Sequence, residues 1–241
     1  MREDRDVRED GPKRERRGQV EKVQDRRRCA ATPAPWDRVA CDRVACRGMN
    51  PWFAKTAVLL ATVAMVLIRA PHGQRSRSIR VVKDAKGTLE TALLALAMVG
   101  FFVPVVWIAS PLFAFADYEL HPLPFAAGCA GFVIGLWIFH RAHADLGPNW
   151  SITLQVRENH QLVTHGIYRR VRHPMYLGLF VYSLGQALVL PNWLAGPSYL
   201  VTFGVLYALR VRAEEELMRA TFGKQYDDYV RRTARLLPGL H

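Results

Sequence analysis

The chain is poor in cysteine, and the spacing of what it has builds nothing. Only Cys29, Cys41, Cys46 and Cys129 occur in 241 residues. None forms a C-x-x-C pair or a Cys/His ligand set, which argues against a zinc site and gives no framework for disulfides, so no metal is expected. Cys129 lies in an apolar run and reads as a small apolar residue. Zinc-finger, basic-zipper and helix-turn-helix patterns are also missing, so the formal charge of +12 points away from nucleic acid as a partner. The first residues are too acidic and too weakly apolar for a secretory signal peptide. Finally, lysine and arginine are absent from 110–123 and from 191–193, an absence that sets orientation.

What is present is apolar sequence in blocks. Half of the residues are hydrophobic, and the charges cluster between the blocks rather than alternating with them. That distribution points to an all-α, polytopic integral membrane helix bundle with basic loops. Five apolar segments are expected, at 52–68, 88–109, 124–140, 175–190 and 194–209. The first is short for the ~20 residues of a full crossing and carries Lys55 near its end. Pro104 should kink the second without ending it. In the third, Gly128, Gly131 and Gly135 should let a neighbouring helix come close. The last two are separated by Pro191-Asn192-Trp193 and form a helical hairpin, each arm covering only ~24 Å at 1.5 Å per residue. Trp107, Trp137, Trp150 and Trp193 fall near the proposed boundaries and read as interface anchors.

Orientation follows from the loops. Segments 69–86 and 141–173 and the tail after 209 are rich in Lys and Arg and should face the cytoplasm, which in a bacterium means the inner face of the cell inner membrane. Residues 1–48 mix acids and arginines without apolar periodicity, repeat Asp-Arg-Val-Ala-Cys at 37–41 and 42–46, and are expected to be a disordered arm. An arginine-rich arm outside the membrane conflicts with the loop rule, so Met49 is a candidate start. The domain proper is then 49–241, with a motif-bearing core at 141–241.

The chemistry should gather where the hairpin begins and ends. Gly166-Ile167-Tyr168-Arg169-Arg170-Val171-Arg172-His173-Pro174-Met175-Tyr176 precedes the first arm, and Arg210-Val211-Arg212-Ala213-Glu214-Glu215-Glu216 follows the second. In a hairpin the two meet at one membrane face. Taken singly, the arginines suit positive-inside anchoring and the glutamates an exposed helix face paired at helical spacing. His140 and His143 resemble a ligand pair but lack a third partner.

Two runs, 162–168 (Leu-Val-Thr-His-Gly-Ile-Tyr) and 171–178 (Val-Arg-His-Pro-Met-Tyr-Leu-Gly), make the sequence resemble the isoprenylcysteine carboxyl methyltransferase family, grouped with the phospholipid N-methyltransferases. The resemblance extends to Leu146-Gly147-Pro148-Asn149-Trp150-Ser151, to Arg212-Ala213-Glu214-Glu215, and to Phe222-Gly223-Lys224-Gln225-Tyr226-Asp227-Asp228-Tyr229 with Pro238, covering roughly 88–240. Met218 departs from the leucine that usually ends the glutamate motif, a tolerable apolar swap. The resemblance implies a membrane enzyme using S-adenosylmethionine, with the cofactor in a cytoplasmic pocket capped by the C-terminal segment and its methyl group facing a tunnel open to lipid. Carried over onto this sequence, its cofactor-binding motifs fall on Gly166, Tyr168, Arg172, His173, Pro174 and Tyr176, with Glu214 and Glu215 across the site; the expected cofactor contacts are then Gly166, Ile167, Tyr168, His173, Pro174, Tyr176 and Glu214, and the expected catalytic residues Arg172, Arg212 and Glu215.

Those residue types suit such a ligand. Arg172 or His173 could hold its carboxylate, Glu214 or Glu215 its ribose hydroxyls, and the backbone at 166–168 its adenine. Arg210 and Arg212 could orient an anionic acceptor. The acceptor should be small or lipophilic, reaching the site from the membrane lipid, and prenylcysteine carboxyl methylation is the name-bearing activity. Amine (phospholipid) or thiol methylation, an NADPH-dependent sterol-type reductase and a non-catalytic membrane scaffold are the alternatives. The oligomeric state is not legible.

Overall fold

The computed structural model describes residues 49–77, 81–84, 87–147, 155–157 and 161–237. The arm at 1–48, Trp150 and Pro238 lie outside the described residues, and so does most of the 146–151 motif. Among the described residues six α-helices follow one another: α1 Pro51–Arg77, α2 Thr88–Ala109, α3 Pro122–Leu146, α4 Pro174–Val189, α5 Ser198–Phe222 and α6 Lys224–Arg232. The all-α expectation holds but for two short strands, β1 Val81–Asp84 and β2 Gln155–Arg157, which pair antiparallel and join the loop after α1 to the loop after α3. Helices α1 (over Pro51–His72), α2 and α3 are long and apolar enough to cross a membrane, and α4 is a shorter apolar helix. The chain is an integral membrane protein.

The boundaries have local causes. Pro122 and Pro174 open α3 and α4 at the first helical position, where a missing N–H costs nothing. Gly147 and Gly223, with φ of 54° and 53°, close α3 and α5 in a conformation that other residues avoid. Helix α2 runs straight through Pro104 in sequence. Two expected boundaries move. Helix α1 continues past 68 to Arg77, so part of the expected basic loop is helical. Helix α5 starts at Ser198 rather than 194 and runs on to Phe222, so Arg210–Glu216 is a continuation of the helix and not a segment after it.

Packing is led by α3 against α4, then α2 against α5 and α4 against α5. The α3–α4 contact depends on glycine. A Cβ at Gly135 would lie 2.7 Å from the Tyr182 backbone nitrogen, and one at Gly185 would lie 2.8 Å from the Gly128 carbonyl oxygen. In lipid, where apolar side chains gain little by meeting each other, this backbone approach is what makes helix pairing favourable. Around it sits one apolar core that includes Phe101, Phe132, Phe139, Tyr182, Tyr199 and Phe203. Trp107 belongs to this core at 5% exposure, with its indole N–H donated to Asp117, so it is a packed residue rather than an interface anchor; Trp137 and Trp193 are exposed as expected.

Candidate active site

The hairpin of α4 and α5 brings the two charged groups together. His173 is the residue before α4, and Glu214 and Glu215 lie on the far end of α5. Because neighbours on a helix point about 100° apart, the two glutamates divide. Glu215 is 2% exposed and faces inward. It accepts from Arg172 Nε at 3.3 Å, from Arg235 Nε at 3.1 Å and Arg235 Nη2 at 2.7 Å, and lies 3.3 Å from His173 Nε2. Glu214 accepts from the Tyr176 hydroxyl at 2.6 Å and stands 3.9 Å from His173 Nδ1, at the edge of a cavity. Burial pushes the Glu215 carboxyl up, but hydrogen bonds from His173 and Arg235 outweigh it and hold it at about 2. The same contact raises the Arg235 guanidinium above its ordinary value.

The C-terminal segment closes this end. Arg172 N–H donates to the Ala234 carbonyl, His173 N–H to the Arg235 carbonyl, and Ala234 N–H to the Arg170 carbonyl. The Arg172 Nη1 group donates to the Val230 and Thr233 carbonyls at the end of α6. Tyr229 donates its hydroxyl to the Tyr168 carbonyl at 2.7 Å. Arg172 is thus a clamp between motif, Glu215 and lid.

Beneath the lid is a continuous cavity of ≈ 490 Å³. Its polar end is bounded by Tyr168, Arg172, His173, Glu214, Tyr226 and Tyr229. Its other end runs between helices along Met65, Met98, Phe101, Phe102, Leu179 and Phe203. Burial raises the Tyr168 and Tyr226 phenols, with Glu214 adding to both, and pushes Tyr229 up to about 12. At neutral pH these rings are neutral donors. Between the two ends, Arg69 and Arg210 also line the wall, and Arg210 Nη2 lies 3.4 Å from Glu90 Oε1.

The structure gathers most of the residues singled out in the sequence. Tyr168, Arg172, His173, Pro174, Tyr176 and Glu214 line the cavity, and Glu215 ties them together from behind. Gly166 and Ile167 do not line it. Gly166 has φ of 58°, a Cβ there would run into the Asp145 carboxylate, and Ile167 N–H donates to Asp145 Oδ2 at 2.8 Å. These two residues hold the 3-10 turn Gly166–Arg169 that presents Tyr168. Arg212 is exposed and also outside the lining; Arg210, two residues earlier, is the arginine that reaches the wall. Sequence reasoning missed Arg235, Glu90 and Arg69. Glu90 carried a signal, as the lone acid opening an otherwise apolar span.

A bundle of apolar helices enclosing a capped polar cavity defines an integral membrane protein with a candidate small-molecule site. Residues 127–220 match the model of the Isoprenylcysteine carboxyl methyltransferase (ICMT) family. It is 32% identical over 108 residues to the protein-S-isoprenylcysteine O-methyltransferase of Tribolium castaneum, covering 44% of this chain but only 38% of that protein. It is 26% identical over 197 residues to the probable protein-S-isoprenylcysteine O-methyltransferase of Oryza sativa subsp. indica, covering 81% of this chain and 98% of that protein. A solved structure described as the eukaryotic intramembrane Ras methyltransferase ICMT overlaps 76% of this chain and 62% of its own, with TM-score 0.47 and 24% identity.

Proposed function

We propose that this protein moves a methyl group from S-adenosylmethionine to the carboxylate of a lipophilic acceptor, of which an isoprenylated cysteine is the nearest example, at the cytoplasmic face of the membrane. One observation carries the reading: a single cavity joins a polar, lid-covered end to an apolar wall between helices. A volume of ≈ 490 Å³ falls within the ~300–1,000 Å³ usual for small-ligand sites. The residues at the polar end fit a donor that carries an amino-acid group, a ribose and an aromatic base. Glu214 is a partly exposed carboxylate suited to hydroxyl or ammonium donors, His173 stands beside it, and the neutral Tyr168, Tyr226 and Tyr229 rings offer aromatic faces. When bound, S-adenosylmethionine supplies an electrophilic methyl group on a sulfonium.

The chain's own residues then do three things. Glu215, Arg172 and Arg235 fix the lid and the first turn of α4, which orients His173 and Glu214. The lid and the apolar wall exclude water, so that positioning rather than proton transfer limits the reaction. Arg210, 3.4 Å from Glu90, and Arg69 bring two guanidinium groups to the cavity wall, which suits an anionic acceptor better than an amine. An ionised carboxylate needs no general base, and no unpaired base is required of the wall. In this assignment Gly166 and Ile167 act through Tyr168, Arg172 and Glu215 are positioning residues, and Arg212 has no part. The basic loops support the cytoplasmic face.

Calorimetry on detergent-purified protein tests the cofactor. Native protein should bind S-adenosylmethionine, while His173→Ala and Glu214→Ala should lose at least tenfold in affinity with unfolding temperatures retained. Labelled methyl recovered on a farnesylated cysteine derivative then tests the acceptor. Absence of binding to well-folded native protein would sink the methyltransferase reading and favour a reductase or a scaffold.

A further inference from the structure

On the lipid-facing side of α3, opposite the catalytic cavity, lies a second depression of ≈ 640 Å³ lined by Trp137, Arg141, Gly166, Ile167, Arg169 and Arg170. Three of the six lining residues are arginines and none is acidic. Arg141 reaches back to Asp145 at 3.3 Å. Arg169 and Arg170 are exposed, and neither joins an ion pair among the described residues. With Asp145 counted against Arg141, two positive charges remain to face a ligand.

The depth of this depression in the membrane can be read from α3. Its exposed stripe runs Ala126, Ala127, Ala130, Val133, Ile134 and Trp137, all apolar, and then turns to His140 and Arg141 within one helical turn. Trp137, at 61% exposure, marks the change. That sequence of side chains is how a helix passes from hydrocarbon to headgroup level. The arginines therefore stand where lipid phosphates lie, directly above an apolar stripe that an acyl chain can follow. A scattered set of anchoring arginines would not share one concavity with the terminal tryptophan of such a stripe.

We propose that this depression is a binding site for an anionic phospholipid. Its phosphate is held by Arg169, Arg170 and Arg141, its glycerol backbone lies beside Trp137, and one acyl chain lies along Ile134 and Val133. Guanidinium groups suit phosphate because they donate in a fork that matches its oxygens. The site is separate from the methyl-transfer cavity, and its test does not depend on that activity. It does share the Gly166–Arg169 turn with it: Tyr168 points inward from the same four residues whose outer face carries Arg169.

The test is native mass spectrometry of the purified protein titrated with phosphatidylglycerol or phosphatidylcholine, with helicity checked by circular dichroism. Native protein should retain phosphatidylglycerol in preference to phosphatidylcholine. Arg169→Gln with Arg170→Gln should weaken phosphatidylglycerol by about 30-fold, the effect of two surface cations at about 1 kcal/mol each, and Trp137→Ala should weaken both lipids. A control removing the same charge elsewhere, Arg231→Gln with Arg232→Gln on the exposed side of α6, should keep the preference. Equal loss in the control would mean diffuse attraction and overturn the site. Absence of preference in the native protein would also overturn it, as would displacement of the lipid by equimolar glycerol phosphate, which would mark a site for soluble anions.

Discussion

The α4–α5 hairpin has a buried polar network at each end, and the two are built differently. At the turn, Asn192 is 1% exposed and donates to the Phe113 carbonyl at 2.7 Å and to Asp117 Oδ1 at 2.6 Å, while its own oxygen accepts from Leu194 and Ala195 N–H. Trp107 adds a second donor to Asp117. At the open end, ions replace amides: Glu215 meets Arg172, His173 and Arg235. The turn network fills its own space and lines neither cavity, whereas the ionic one has Glu214 and His173 at its edge and a cavity beyond them. Burial and hydrogen bonding of polar groups are thus common to scaffold and site. What separates them is surplus capacity facing an empty volume, and neighbouring glutamates fall on opposite sides of that line.

The largest effect should come from removing the hub of the ionic end. Glu215→Ala takes from Arg172 its buried counter-charge and leaves His173 only Glu214 at 3.9 Å, while both side chains stay 7% exposed. Breaking a buried pair in this way costs about 3–5 kcal/mol. We expect a large drop in unfolding temperature and rapid proteolysis after α5. Glu214→Ala, one residue away, should lower ligand affinity at nearly native stability. If the two variants behave alike, the division between hub and cavity wall is wrong.

Acid should act on the same hub. A carboxyl held at about 2 when folded, against 4.5 otherwise, contributes stability that is complete above 4.5 and is lost as pH falls from there towards 2. The contribution is on the order of 3 kcal/mol. Unfolding followed from pH 6 down to pH 3 should show an acid-labile component in native protein that Glu215→Gln abolishes. A loss that survives in the variant would assign it to other groups.

At the turn, Asn192→Ala removes four hydrogen bonds from a buried, neutral network and should cost about 1–3 kcal/mol. S-adenosylmethionine binding, measured well below the unfolding temperature, should stay within twofold of native. A tenfold loss would mean that the two ends are coupled through the hairpin.

This contrast marks how far the sequence could be read. The apolar blocks placed 88–109 to the residue and located the hairpin, because hydropathy and Pro191 act locally. The motif residues from 166 to 176 and the two glutamates were legible as a group, since a hairpin of known length must bring its ends together. Three things were not. Helix α5 runs on through its charged half because tertiary ion pairs, invisible in one dimension, hold Glu215 inward. Arg210 rather than Arg212 faces the cavity, which depends on helical phase set by packing on α2. Gly166 stands in a turn with positive φ against the Asp145 carboxylate, and that pairing crosses 21 residues of chain.

Arg235 gives the finest test, because it belongs to the ionic end yet its side chain is 45% exposed. Its fork grips both oxygens of Glu215, at 3.1 and 2.7 Å. Arg235→Lys keeps the charge and loses the fork. Solvent screening at this exposure limits the loss to below about 1 kcal/mol. Global stability should therefore hardly move, while the segment that Arg235 pins should loosen. Hydrogen exchange should quicken over 224–237, the lid, and remain native over 190–196, the turn. Faster exchange at both ends would show that the hairpin opens as one unit. No change at the lid would show that the backbone bridge between Val171 and Ala234 alone holds it shut.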